Sequence, residues 1–495
     1  MDGPDRISGP EALRAARKRV EGLLDAGLAN DAEAEVERLR AQFGQCFDVD
    51  RLDARVLTTL GRWQKSRQPI ERALAVAPDD PLLLSLKTRV MDKLGEREAS
   101  DRVFRRLLDQ HPDHWRTRRL LFERERDDGN QAAAIGTLRS LLEEKPRSPG
   151  LLYEYSRLER PDESSPFFGR LERMSKDPRL SVNGQALSAF ALGNLHLACG
   201  HDREAFLAYR RANTLLFSRR VSKGQHPAKT LRTWQKAGLS RRYYATRADY
   251  GLSDSRLAFI FGPSRSGKSL VEALLARHPQ VGNLGESFMT RYAMNEQLGG
   301  RDRVEYLASV ERSRAQADAW GYLARRSLMD DKRYWLDTMP TNLGLLPVLG
   351  LWYPDMPVIL CTRDLLDVGV TIYFRYYSTG NRAYFDLNEI GRYIAKYTVC
   401  CKFMEVVLPN PVLWVRYEDL VHDPYAEARR IGQFLGLDMD VIGRELASPE
   451  ETAYRHPIDS HNRPSRITTE GVGLHERFKE NIDPLWNGIM ENLGD

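Results

Sequence analysis

"LAFIFGPSRSGKSLVEALLARHP", residues 257–279, is an apolar run, then a glycine-bounded turn, then a segment whose apolar residues recur at helical spacing. A strand, a tight turn and a helix in that order aim several backbone N–H groups at one spot, and the helix dipole adds partial positive charge there. Such a turn holds a phosphate or a sulfate. Gly262 to Ser269 satisfy G-x-x-x-x-G-K-[ST], the pattern of a loop that cradles nucleoside triphosphates. Pro263-Ser264-Arg265-Ser266-Gly267 inside it also fits a second kind of anion loop, so the rest of the chain has to decide which phosphate is held.

Downstream of Arg256, the short apolar stretches RLAFIFG, RYWLDT, MPVILCTR and NPVLWVRY alternate with longer helical ones. That alternation predicts a parallel sheet covered by helices on both faces, with its ligand at the carboxyl ends of the strands. Upstream, the chain repeats itself. Gly27, Gly61, Gly95 and Gly129 recur every 34 residues, as do Pro78, Pro112 and Pro146, preceded by Leu74, Leu108 and Leu142. The spacing predicts stacked helix-turn-helix units that match tetratricopeptide repeats in length and punctuation. The glycine supplies the turn inside each pair, and the proline ends the second helix by removing an amide donor. A further pair is legible in ALSAFALGNLHLACGHDREAFLAYRRANTLL, with Gly200 at its turn. Arrays of this kind leave a concave surface that usually binds a peptide or protein.

From Ala205 to Ala248 no acidic residue occurs, while Arg210, Arg211, Arg232, Lys236, Arg241 and further cations accumulate. This stretch is either a solvated linker helix or a positive rim that attracts an acidic substrate. The fold class is thus α followed by α/β: a tetratricopeptide-like helical solenoid over 1–204, a basic helical linker over 205–255, and a P-loop-type α/β domain with a parallel sheet over 256–495.

At 495 residues the chain exceeds one ordinary core, and two or three domains are expected. With 42% hydrophobic and 29% charged residues it reads as soluble and globular. A net charge of +5 suits a polyanionic ligand and is too small to argue for nucleic-acid binding. No window approaches the roughly 18 apolar residues of a membrane span. The N-terminus, MDGPDRISGP, lacks the pattern of a secretory signal. Five cysteines without framework spacing favour reduced thiols, so a cytoplasmic location is expected. No Cys/His set has metal-ligand spacing, and no metal site is expected.

A triphosphate loop needs a carboxylate at the end of a second strand to hold magnesium. VILCTRD offers Asp364, but Arg363 beside it competes with a metal. Instead, CTRDLLDVGVTIYF resembles the segment in which sulfotransferases clasp the 3′-phosphate of 3′-phosphoadenosine 5′-phosphosulfate (PAPS), with Arg363 and, eight positions on, Thr371. HPQVGNLGE (278–286), LDTMPTNLGLLPVLGLWYPDMPVILCTRD (336–364) and VRYEDLVHDP (415–424) agree, in order. Together they resemble the bacterial sulfotransferases that carry N-terminal tetratricopeptide repeats, relatives of tyrosylprotein sulfotransferases, over roughly residues 205–480.

That resemblance implies a transferase that takes PAPS as sulfuryl donor, releases the 3′,5′-bisphosphate (PAP), and acts on a hydroxyl acceptor, which a repeat array suggests is a peptide or protein, with tyrosine the candidate residue and small hydroxylated metabolites the alternative. Arg265, Ser266, Gly267, Lys268 and Ser269 would hold the 5′-phosphosulfate, Arg363 and Thr371 the 3′-phosphate. Tyr417 would lie near the nucleotide, or pack in the core. Glu286 would be the general base, or else start a helix. Three positions depart from the family pattern. Lys268 stands where the loop has threonine, Asp337-Thr338-Met339-Pro340 lacks the lysine of D-K-x-P, and Gly473-Leu474-His475 stands for a G-R-W-like motif. Lys268 is therefore a candidate for the missing catalytic cation, or a residue that drifted in an inactive loop. Two other readings stay open: a magnesium-dependent P-loop phosphotransferase or NTPase, and a catalytically inactive repeat scaffold.

Overall fold

Helix bounds in the first part of the chain advance in steps of 34 residues. Phe47–Thr59, Pro81–Lys93 and Trp115–Asp127 are the first helices of three pairs, and Trp63–Val76, Arg97–Gln110 and Gln131–Glu144 are their partners. Inside the pairs the turns at Gly61 and Gly129 have φ 68° and 78°, which a residue with a Cβ adopts only under strain. Gly27 and Gly95 lie outside the described residues. Pro78, Pro112 and Pro146 all stand in the turns that follow second helices. Asp80 opens the next helix by accepting from the N–H groups of Leu82 and Leu83 at 2.8 and 3.1 Å. The structure, a computed structural model, describes residues 9–25, 28–94, 96–159, 163–218, 227–253, 256–286, 289–326, 332–377, 382–442 and 467–493.

The chain divides into two compact units, Met1–Ala191 and Leu192–Asp495. The helix Asp202–Phe217, whose cationic stretch reads as linker in the sequence, belongs to the second unit. Its Asn213 side chain donates to the Tyr373 carbonyl at 2.7 Å, and its Tyr209 ring stacks on Phe374 at 4.1 Å. Among the described residues no helix is long and apolar enough to cross a membrane.

The second unit holds a parallel sheet of five strands: β1 Leu257–Phe261, β2 Val281–Gly285, β3 Tyr334–Asp337, β4 Val358–Thr362 and β5 Val412–Arg416, in the order β2-β3-β1-β4-β5. Four of these strands are the apolar stretches evident in the sequence. The fifth, β2, is not, because Gly282, Asn283 and Gly285 carry little strand propensity. It forms through pairing with β3, with a register shift between Asn283 and Gly285. β1 is buried at every position, so both of its faces are covered. On one face Ala258, Ile260, Ile359 and Val415 pack with Val271 and Leu275 of the helix Lys268–Leu275 and with Ile431 of Pro424–Leu435. Because the chain runs from β1 to one edge and later crosses to the other, all five carboxyl ends open on one side and the order reverses at β1.

The long helix Leu387–Val407 and the helix Asp483–Leu493 cross closely. A Cβ at Gly391 would collide with the Leu485 carbonyl and lie 2.8 Å from the Ile489 nitrogen. Gly391→Ala is expected to cost about 1–3 kcal/mol and to lower the thermal midpoint. Gly136→Ala, where an added Cβ has nothing within 4 Å, should be neutral or slightly stabilising. Thermal unfolding followed by circular dichroism checks both, and equal midpoints would show that the crossing tolerates a methyl group.

Candidate functional site

Each strand delivers one candidate residue or loop at its carboxyl end. β1 runs into Gly262, where a Cβ would collide with Ser266 Oγ and stand 2.5 Å from the Cys361 carbonyl on β4. The turn closes because that position has no side chain. Arg265 and Gly267, with φ 72° and 96°, flank Ser266 in the left-handed region, a backbone arrangement that makes an anion-binding concavity. Ser266 is 1% exposed, and its hydroxyl has no hydrogen-bond partner among the described residues. An unmatched polar atom in that position costs free energy unless a ligand supplies the partner. Lys268, the first residue of the next helix, is 4% exposed and donates from Nζ to the Pro263 carbonyl at 3.0 Å. Burial holds its ammonium below the ordinary value, against the opposing attraction of Glu286. Ser269 is half-buried in the same turn.

β2 ends at Gly285, with Glu286 half-buried directly after it. Beside it, β3 ends at Asp337, which is fully buried and accepts from the Met339 N–H at 3.0 Å, from Asn342 Nδ2 at 3.1 Å and from Thr290 Oγ1. The carboxylate is thereby committed to shaping the turn. Thr338 ties its N–H to the Gly285 carbonyl at 3.2 Å, while its fully buried hydroxyl has no partner.

Arg363 directly follows β4, is 7% exposed, donates from Nη1 to the Arg265 carbonyl of the loop at 3.3 Å and from Nη2 to the Gly471 carbonyl, and lies 4.3 Å above the Tyr417 ring. Tyr417 follows β5 and opens the helix Tyr417–His422. A Cβ at Gly267 would sit 2.9 Å from its ring, so the phenol closes the far side of the loop. Thr371 does not join this group through its hydroxyl, which bonds back to the Asp367 carbonyl at 2.7 Å two turns along the helix Leu365–Tyr373.

Two further features were not legible in the sequence. A row of tyrosines borders the loop: Tyr377 shares a hydrogen bond with Ser264 at 3.1 Å, and the rings of Tyr377, Tyr384, Tyr393 and Tyr397 follow at 4.8, 5.1 and 6.0 Å. Tyr397 donates to the Pro340 carbonyl at 3.2 Å, steadying the turn after β3. Only the i, i+4 spacing of Tyr393 and Tyr397 offered a signal. The second feature is the latch on Gly473-Leu474-His475. The buried Asp367 carboxylate accepts from the Gly473 and His475 N–H groups at 2.8 and 2.9 Å and meets His475 Nδ1 at 2.8 Å. His475 thus fastens the segment that lies over Arg363.

Asp364, Asp367 and His475 are close enough together to suggest a cation site. Most of their acceptor atoms are engaged: Asp364 Oδ1 caps its helix by accepting from Leu366 and Asp367 N–H groups at 3.0 and 2.9 Å, and both oxygens of Asp367 hold the latch. The donor set fits a helix cap and a clasp better than a metal.

Residues 258–441, which contain the loop and all the strand ends, match the family model described as "Sulfotransferase family". An uncharacterized protein of Aquifex aeolicus (strain VF5) is 24% identical over 259 residues, 47% of this chain and 34% of that protein, so the match spans about a third of the relative's length. Among solved structures, sulfotransferase STF9 from Mycobacterium avium is 13% identical, with 66% of this chain and 98% of that one covered and a TM-score of 0.27. Sulfotransferase STF1 from Mycobacterium tuberculosis H37Rv is 16% identical, with coverages of 67% and 97% and a TM-score of 0.25.

The buried Lys268 makes anion binding depend on pH. An anion in the loop favours the ammonium, so above the depressed value of the free protein, binding takes up a proton. Affinity for inorganic pyrophosphate should therefore fall on the alkaline side, beginning below the ordinary lysine value of 10.5, by up to about tenfold per pH unit. Lys268→Arg should remove that slope, because a guanidinium stays charged throughout. Calorimetry across the alkaline range checks this, and a wild-type profile as flat as the variant's would show that Lys268 does not face the anion.

Proposed function

We propose that the second unit transfers a sulfuryl group from 3′-phosphoadenosine 5′-phosphosulfate to a hydroxyl acceptor. The observation that carries this reading is Arg363. The strand beside β1 is followed directly by a buried guanidinium bonded to the loop's own backbone, where a magnesium-dependent phosphotransferase needs a carboxylate for its metal. The adjacent Asp364 is exposed and uses its Oδ1 to cap its helix. The family match over 258–441 supports the same reading.

The loop N–H groups, Arg265, Ser266 and Ser269 would bind the 5′-phosphosulfate, and the unmatched Ser266 hydroxyl fits that role. Arg363 would take the 3′-phosphate, since a planar fork suits a dianionic oxygen set, and Thr371 on the following helix would join it by turning its hydroxyl from the Asp367 carbonyl. Tyr417 would hold both the loop and Arg363 in place. The acceptor oxygen attacks sulfur, the bond from sulfur to the bridging phosphate oxygen breaks, Glu286 takes the acceptor's proton, and negative charge builds on the departing bisphosphate. Lys268 neutralises that charge in place of the lysine absent from the β3 turn. We further propose that the helical pairs of the first unit are a tetratricopeptide-like array that docks a peptide or protein acceptor, with tyrosine as the hydroxyl.

Three variants test the role of Lys268. Lys268→Thr should lower sulfuryl transfer about 100-fold or more, as for removal of a group that stabilises transition-state charge. Thr338→Lys should change it little, and the double variant should recover activity by moving the cation to the β3 turn. Transfer of labelled sulfate from the donor measures all three. Full activity in Lys268→Thr would eliminate the lysine from the reaction, and transfer of phosphate from ATP instead would overturn the whole reading.

A further inference from the structure

Away from the phosphate loop, the second unit contains a cavity of about 560 Å³ between the helices Pro227–Lys236 and Arg303–Ser309 and the turn that follows β3. It shares no lining residue with the loop, Glu286, Thr338, Arg363 or Tyr417. Its size is that of a small-molecule site. Its wall is two-sided. Trp234, Leu307 and Val348 are buried and form an apolar floor, while Lys229 and Arg301 are exposed at the rim.

Arg303 stands between floor and rim. It is half-buried and donates from Nη1 to the Gly344 carbonyl at 3.4 Å. Burial weakens its hold on its proton, and the carboxylate that opposes this is Asp302. Asp302 is the one acidic residue in the described lining, and its Oδ1 already caps the next helix, accepting from Val304 and Glu305 N–H groups at 2.8 and 3.4 Å. Arg301 shares the buried Asp318 with Arg314, at 3.6 and 3.0 Å. Three cations thus border a cavity whose described lining holds a single carboxylate, with one of its oxygens engaged. A partly desolvated cation over an apolar floor is stabilised most by a ligand that brings both an anionic head and an apolar body.

We propose that this cavity is a second ligand site, separate from the phosphate loop, for a small amphipathic carboxylate: one carboxylate on Arg303 and the Lys229 rim, with an alkyl or aryl body against Trp234, Leu307 and Val348. The site adjoins the reaction centre through the backbone. Gly344, which lines the cavity and accepts from Arg303, lies in the same turn as Asn342, which bonds Asp337 at the end of β3. The inference does not rest on the identity of the donor held by the loop.

Decanoate is the probe, with decanol as the body without the charge and acetate as the charge without the body. Calorimetry on the full chain should show decanoate binding at one site at least tenfold more tightly than either control, with saturating pyrophosphate leaving that affinity unchanged. Arg303→Gln should weaken decanoate about tenfold or more. Lys229→Glu, on the exposed rim where the substitution does not disturb packing, should weaken it by a smaller factor even if Arg303→Gln fails to fold. Decanol binding as well as decanoate, indifference to both substitutions, or displacement by pyrophosphate would each overturn the proposal.

Discussion

A guanidinium holds the candidate site together. Arg363 reaches the Arg265 carbonyl in the loop after β1, the Gly471 carbonyl near the C-terminus and the face of Tyr417 after β5. These three segments are far apart in sequence, and a planar fork with five donors can serve them together where an ammonium could not. Because the group is almost wholly buried, its charge is costly unless an anion arrives, so the contacts that order the loop also prepare it for one. The close approaches at Gly262 and Gly267 follow from the same packing: the loop must lie against Cys361 on one side and Tyr417 on the other.

The loop itself was fully legible in the sequence, since a strand, a glycine turn and a helix are local signals. So were four of the strands and the 34-residue step, which glycines and prolines mark directly. β2 was not, because its pairing with β3 overrides a sequence of weak strand formers. The helix Asp202–Phe217 was legible as one of a pair around Gly200, but not its membership of the second unit, where Phe206, Tyr209, Ala212 and Leu216 give it a buried face. The latch between Asp367 and His475 joins residues 108 positions apart, and no spacing rule reveals such a contact. The bond of the Thr371 hydroxyl to the Asp367 carbonyl, one turn back in the same helix, was likewise not marked in the sequence.

The proposed exchange of lysine and threonine between the loop and the β3 turn has a physical logic. A sulfuryl group in transfer carries one negative charge where a terminal phosphoryl carries about two, so a single buried ammonium can serve where phosphoryl transfer recruits a divalent metal. Lys268 sits against the Pro263 carbonyl with its charge disfavoured by burial, and Thr338 leaves a buried hydroxyl unmatched at the neighbouring strand end. On the proposed function, the phosphosulfate would meet both.

The central claim is that the loop and Arg363 together select a 3′-phosphorylated adenine nucleotide without metal. Calorimetric titration with adenosine 3′,5′-bisphosphate and with ATP, each with and without magnesium, tests it most directly. The account requires the bisphosphate to bind at least tenfold more tightly than ATP and to be indifferent to magnesium. Tight binding of ATP that depends on magnesium, with weak binding of the bisphosphate, would contradict it.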